Sequence, residues 1–336
     1  MGEMNIRILA KKLNLSISTV SKALKDSYEI SAETKKRVSA LAEELHYNPN
    51  PYASSLRRKK SNTIAVVVPE VADSFFSVAL KGIEEVAQEK GYHVLIYLTY
   101  ENYLKEKKIL EAFGNGRVDG VLMSVSSETG DVAHIHTLST TIPLVFFDRA
   151  IDEIDAAKIT TDDYESSFNA TRHLIDCNCR KIAYLSISNS LSINTKRMAG
   201  FRAAMEKYGI EFNDNSIINC SNNVEENNKL FVKLLKTDSR PDGIIASVEK
   251  LIAPIYAMCN ELQVKIPDDL KILCFSNLQY APILNPALTT VTQPAFEIGK
   301  MAARVLFKAL DKRSFDAKKE SIELPSQLYK RKSTQQ

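Results

Sequence analysis

The chain has 336 residues, 44% hydrophobic and 25% charged, an ordinary composition for a water-exposed protein of two or three domains. It contains no run of 18 apolar residues and no apolar leader core at its N-terminus, so neither a membrane span nor export is expected, and the expected location is the cytoplasm. Its five cysteines, an odd number in a long chain, suit reduced and buried thiols rather than a disulfide framework.

The first stretch with a pattern runs from Asn5 to Arg58. Apolar residues at Ile6, Leu9, Leu13, Leu15, Val20 and Leu24, with no Pro or Gly among them, predict two short amphipathic helices joined by a tight turn at Asn14, Leu15 and Ser16. Ser16 is placed to cap the second helix, with Thr19 three residues on. Val20 and Leu24 would face inward, leaving Ile17, Ser18, Ser21 and Lys22 outward on the leading turns. Small hydroxyls and a cation there suit base edges and phosphates, because a major groove admits one helix. A third helix, capped by Ser31, would close the core with Val38, Leu41, Ala42 and Leu45. Residues 1–60 hold 12 Lys and Arg against 6 Asp and Glu, a net of +6, whereas the remainder carries 32 against 35, a net of −3. A basic head of this kind is what phosphate neutralisation requires. The acids are expected in the third helix and the loop before it, away from the second helix.

The segment NPNPYASSLRRKKSNT follows. Pro49 and Pro51 stop the third helix. Tyr52 to Arg58 is too short to be helical alone, so it reads either as a flexible linker or as a helix that forms only with DNA and a partner chain. In the second case Leu56 is an apolar wedge for a base step in the minor groove.

From Thr63 the texture becomes alternating. Short apolar runs at 64–68, 94–98, 120–123 and 144–147, and again at 182–185, 217–219, 244–246 and 272–275, read as strands buried on both faces. Helical patterns separate them, which implies right-handed crossovers and two doubly wound parallel-sheet lobes. Ligands of such lobes bind at the carboxyl ends of strands. Phe75 and Phe76 after the first strand offer aromatic faces or plain core contacts, and Asp148 and Arg149 after the fourth offer cleft lining or an internal salt bridge. No G-x-G-x-x-G, P-loop or G-x-S-x-G is present. His134-x-His136 reads as a solvated helix face, and Cys177-x-Cys179 lacks the companions of a zinc site. No catalytic residue, cofactor or metal is therefore expected.

The runs SISTVSKAL, ISAETKKRV, ELHYNPN and YASSLRRKKSNTIAVVVP resemble the lactose-repressor (LacI) family of bacterial transcription regulators. The likeness continues through GIEEVAQEKGYHV, RVDGVLM, PLVFFDR, KRMAGFRAAM and NPALTTVTQPAFEIGKMAA. The resemblance implies an N-terminal all-α helix-turn-helix domain (1–48), a hinge helix or linker (49–61), and an α/β periplasmic-binding-protein-like body (62–336). Its N-lobe would be about 62–162 and 293–324, and its C-lobe about 163–290, with three crossings near Asp162, Val291 to Gln293, and Glu320 to Leu324. It implies a nucleoid-associated homodimer on palindromic double-stranded operator DNA, contacted through Ile17, Ser18, Thr19, Ser21, Lys22, Lys25, Tyr52, Ser55 and Leu56. A small-molecule effector, a sugar or sugar derivative, would bind between the lobes near Phe75, Phe76, Asp148, Arg149, Arg197, Val248, Ser276 and Gln293. Where the family carries a carboxylate after the fourth strand of its second lobe, this chain has Cys274-Phe275-Ser276-Asn277, and Val248-Glu249 replaces the usual pair after the third. Arg197 would thus lack its usual counterpart, which favours an anionic or less hydroxylated effector, or a lost response. The other reading, a solute-binding protein or enzyme on the same body, has no use for residues 1–60. The tail after Leu324 is polar and basic, without tetramer-forming heptads.

Overall fold

A computed structural model describes residues 5–47, 60–188, 191–213, 216–237, 239–311 and 315–335. The chain divides into two units, Met1–Ser61 and Asn62–Gln336.

The first unit is a three-helix cluster of α1 (Ile6–Leu13), α2 (Ile17–Ala23) and α3 (Ala32–Glu44). Asn5 caps α1 by accepting from the amides of Arg7 and Ile8 at 3.0 and 3.2 Å. The tight turn is made by Asn14 in the left-handed region (φ 56°), a conformation that Asn tolerates better than most residues. Ser16 Oγ accepts from Thr19 N at 3.0 Å, and Ser31 Oγ from Thr34 N at 3.3 Å, so both caps read from the sequence are made. Leu9, Ala10, Val20, Ala23, Val38 and Ala42 form the core, with Leu24, Leu41 and Leu45 partly buried against it.

The second unit is built on two six-stranded sheets. Its strands are β1 (Thr63–Val68), β2 (His93–Leu98), β3 (Gly120–Met123), β4 (Leu144–Phe147), β5 (Ala157–Thr161), β6 (Ile182–Ser186), β7 (Ile217–Asn219), β8 (Gly243–Ala246), β9 (Lys271–Phe275), β10 (Thr289–Thr292), β11 (Ile322–Leu324) and β12 (Gln327–Tyr329). The orders are β11-β5-β4-β3-β1-β2 and β12-β10-β9-β8-β6-β7, and every pairing is parallel except β10 with β12. Each sheet is covered on both faces by apolar clusters, as parallel sheets with helical crossovers require.

The chain passes from the first sheet to the second after β5, back after β10, and across again between β11 and β12, at 325–326. The last crossing lies just beyond the 320–324 expected. The tail does not trail away. β12 adds to β10, and Ser333 and Thr334 are buried, Ser333 Oγ accepting from Thr289 N at 2.8 Å and donating to Ile272 O at 2.6 Å. The helix Ala295–Asp311 returns to the first lobe and crosses the helix Ser74–Glu89 closely. A Cβ on Gly299 would lie 2.0 Å from Ala79 O, so the approach requires glycine.

Two strands depart from the expectation of burial on both faces. β2 and β7 are sheet edges, and Leu95 and Ile96 of β2 are 43% and 49% exposed. An apolar run is the same signal in a central strand and at an edge awaiting a cover, so sequence cannot separate the two.

Candidate DNA-reading helix and interlobe cleft

The α2 helix turns Ile17, Ser18 and Lys22 outward, with Ile17 43% exposed, and leaves Thr19 and Ser21 half-buried; Lys25, just past its end, is exposed. The hydroxyls of Ser18 and Thr19 both lie on Ser16 Oγ, at 2.7 and 2.8 Å, so the cap already orders them. One expectation is corrected here. The acids are not all remote from this helix, because Glu29, brought back by the loop before α3, forms an ion pair with Lys22, while Asp26 pairs with Lys35 at 2.8 Å. Tyr52, Ser55 and Leu56, with most of the 49–61 segment, lie outside the described residues.

In the body, the carboxyl ends of both sheets face one another across a narrow cleft that leaves about 30 Å³ of free room. All eight residues expected there, Phe75, Phe76, Asp148, Arg149, Arg197, Val248, Ser276 and Gln293, line it. Asp73, Ile193, Ser247, Glu249, Phe275 and Asn277 line it as well, and were not singled out as ligand contacts. Phe75 and Phe76 are mainly core residues, stacked edge-to-face with centroids 5.3 Å apart, and Phe76 meets Phe147 at 6.4 Å. Asp148 follows the end of β4 with φ 62°, in the left-handed region that Asp enters more readily than most non-glycine residues. It accepts from Gln293 Nε2 at 3.2 Å, and Gln293 also donates to Thr161 Oγ1 at 3.1 Å, so one amide from the crossing strand binds two ends of the first sheet. Arg149 donates to both oxygens of Glu101 at 2.9 Å.

Arg197 does not lack a counterpart. Its Nε donates to Asp163 Oδ1 at 2.7 Å, Nη1 donates to Ser247 O at 2.9 Å, and the guanidinium lies over the Phe275 ring, 4.0 Å from its centroid. Ser276 does have a carboxylate beside it. Glu249 accepts from Ser276 Oγ at 3.0 Å and Asn277 N at 3.2 Å through one oxygen. Its other oxygen accepts from Ser74 N at 2.7 Å, which ties the second lobe to the start of the helix after β1. Asp163 was legible as an acid beginning a helix. Glu249 was not, since its reach depends on the loop after β8 folding toward β9.

Burial dominates the acid–base behaviour. It pushes Asp73 up to about 7, with Glu249 adding repulsion, and Asp163 to about 6 despite Arg197. Arg197 Nη2, Ser247 Oγ, Asn277 Oδ1 and Asp163 Oδ2 are buried without a hydrogen-bond partner in this structure. Outside the cleft, His134 is buried and bonded to Glu106 Oε1 at 2.9 Å, so it is no solvated face. Among the described residues no group of His, Cys, Asp or Glu is arranged to hold a metal ion. The five cysteines are free thiols, four buried and Cys177 partly exposed.

Residues 5–50 match the description "Bacterial regulatory proteins, lacI family", and residues 171–334 match "Periplasmic binding protein-like domain". The ribose operon repressor of Halalkalibacterium halodurans is 30% identical over 98% of this chain and 96% of its own length. The chain belongs to the LacI family. A second relative, the HTH-type transcriptional regulator DegA of Bacillus subtilis, is 31% identical over 97% of this chain and 96% of its own. The lac repressor dimer bound to operator and an anti-inducer shares the fold, with a TM-score of 0.84 over 99% of both chains at 20% identity. As a LacI-family protein the chain is a DNA-binding transcription regulator and not an enzyme. No helix among the described residues is long and apolar enough to cross a membrane.

Proposed function

We propose that the chain is a repressor that binds a palindromic operator as a homodimer, and that a small hydroxylated effector, a sugar or sugar derivative, switches its operator affinity from the interlobe cleft. The observation that carries the effector reading is the convergence of two arginines, aromatic faces and unpartnered buried donors on one cavity at the carboxyl ends of two sheets. Phe275 supports the Arg197 guanidinium from beneath, and Arg197 Nη2 offers a free donor for a hydroxyl. The relative named a ribose operon repressor agrees with this class of ligand. The homodimer is supported by the uncovered β2 edge, where Leu95 and Ile96 are joined by exposed Tyr100 and Leu104. Two copies of α2 would then read half-sites one helical turn apart, Ser18 and Lys22 on base edges, Ile17 against a thymine methyl, and Thr19 and Ser21 on phosphates. Leu56 of each chain would wedge the central step.

The test is selection of bound duplex from a random pool, with affinity then measured against salt and with added aldoses. A selected palindrome, bound with steep salt dependence and released or tightened by a sugar, supports the reading. Failure to enrich any palindrome would sink the operator part. Operator affinity of Leu56→Ala equal to the parent's would remove the wedge.

A further inference from the structure

The charges around the cleft do not balance. Arg149 and Arg197 line it, against Asp73 and Asp148 from the first lobe and Glu249 from the second, with Glu101 and Asp163 paired to the two arginines. Both arginines are already engaged, by Glu101 and Asp163 at 2.9 and 2.7 Å. An anionic effector would therefore meet more carboxylates than guanidiniums, and guanidiniums already paired, which counts against the anionic ligand the missing acid at Ser276 suggested.

The acids are not equally satisfied. Glu249 accepts three hydrogen bonds, and Asp148 has Gln293 at 3.2 Å, Ser124 at 3.5 Å and Arg149 at 3.8 Å. Asp73 accepts from Phe75 N at 2.8 Å through one oxygen, at the helix it caps, and its neighbour Ser74 donates to Glu249 of the other lobe at 2.7 Å, so both acids line the same cleft. Acids gathered on one cleft favour a shared proton or a cation. A metal ion is not suited, since no metal-holding group exists among the described residues. Independent of the acids, two kinds of buried atom wait for a ligand. Arg197 Nη2 and Ser247 Oγ, on residues only 3% and 2% exposed, have no partner, and neither does the acceptor Asn277 Oδ1. The first two fit a hydroxyl, and the carbonyl fits an N–H.

We propose that the effector carries a protonated amine beside its hydroxyls, an amino sugar being the simplest such molecule, with the ammonium held by Asp73 and Asn277 Oδ1 next to Glu249 and a hydroxyl on Arg197 Nη2. This rests on the cleft being the effector site. Burial lifts Asp73 into the neutral range when nothing neutralises it, and an ammonium removes that cost.

The experiment is calorimetric titration of the full chain near neutral pH with matched pairs: glucose and glucosamine, galactose and galactosamine, mannose and mannosamine, and each amine in N-acetylated form. For the stereoisomer that binds, the amine should bind at least about tenfold more tightly than its hydroxyl parent, as a desolvated charge-assisted contact gives, and N-acetylation should abolish the gain. Asp73→Asn should erase the preference and Asp73→Glu retain part of it, with thermal unfolding confirming that both variants fold. A neutral sugar that binds as tightly as its amine overturns the proposal, as does an amine preference that survives Asp73→Asn. Silence of every sugar, charged or neutral, in both calorimetry and operator release overturns the sugar reading of the cleft itself and this inference with it.

Discussion

Arg197 and Asp163 form a buried pair whose two remaining atoms, Nη2 and Oδ2, are unpartnered. Removing one partner leaves an uncompensated charge in the core of the cleft. Arg197→Leu should cost about 3–5 kcal/mol in urea unfolding, and the double variant with Asp163→Leu should recover much of it. A single-variant cost indistinguishable from zero would mean that the pair is not held as described. Asp73 and Asp163 also set a pH dependence. Their folded values, about 7 and about 6, stand above the ordinary 3.8, so the folded state takes up protons that the unfolded chain does not hold between those limits. Stability from these groups is therefore full below about pH 4 and declines as pH rises through 7. Asp73→Asn should flatten this decline, raising the denaturation midpoint relative to the parent at pH 8 more than at pH 5.

At the scale of elements, α2 shows what local pattern can and cannot reveal. Its caps, its inward Val20 and its outward Ile17, Ser18 and Lys22 follow from spacing and side-chain chemistry. The Lys22–Glu29 pair does not, because it depends on where the next loop returns. In the proposed reading Lys22 contacts DNA, and Glu29 would compete for that cation. Glu29→Gln should thus raise operator affinity severalfold and steepen the salt slope, as titration of a labelled duplex at several salt concentrations will show; an unchanged slope would mean that Lys22 does not reach a phosphate or base. The strands illustrate the same division. Central β1, β3 and β4 were legible as short apolar runs, while β5, β11 and β12 were not, being short and polar on alternate positions, and the run at β2 concealed an edge.

Across the whole body, the lobes are joined by three crossings and tied at the cleft mouth by Glu249 to Ser74 N, with Lys250 3.9 Å from Glu70. These contacts belong to a closed cleft. Glu249→Ala should loosen closure, increasing the radius of gyration of the ligand-free body in X-ray scattering, with the parent and variant converging once effector is bound. Identical scattering in the absence of ligand would show that Glu249 is not the tie.

By itself, the sequence determined the helix-turn-helix head, the charge step between head and body, the doubly wound lobes and the place of Phe75, Phe76, Asp148 and Arg149 after their strands, while Arg197, Val248, Ser276 and Gln293 came from the family resemblance. The former depend on periodicity, caps and position after a strand, which are local properties. Only the tertiary structure decided that Asp163 answers Arg197, that Glu249 bonds Ser276 and Ser74 across the cleft, that His134 is buried and that the polar tail completes a sheet. Each of those joins residues distant in the chain, and a carboxylate's partner is set by which loops fold together rather than by its neighbours in sequence.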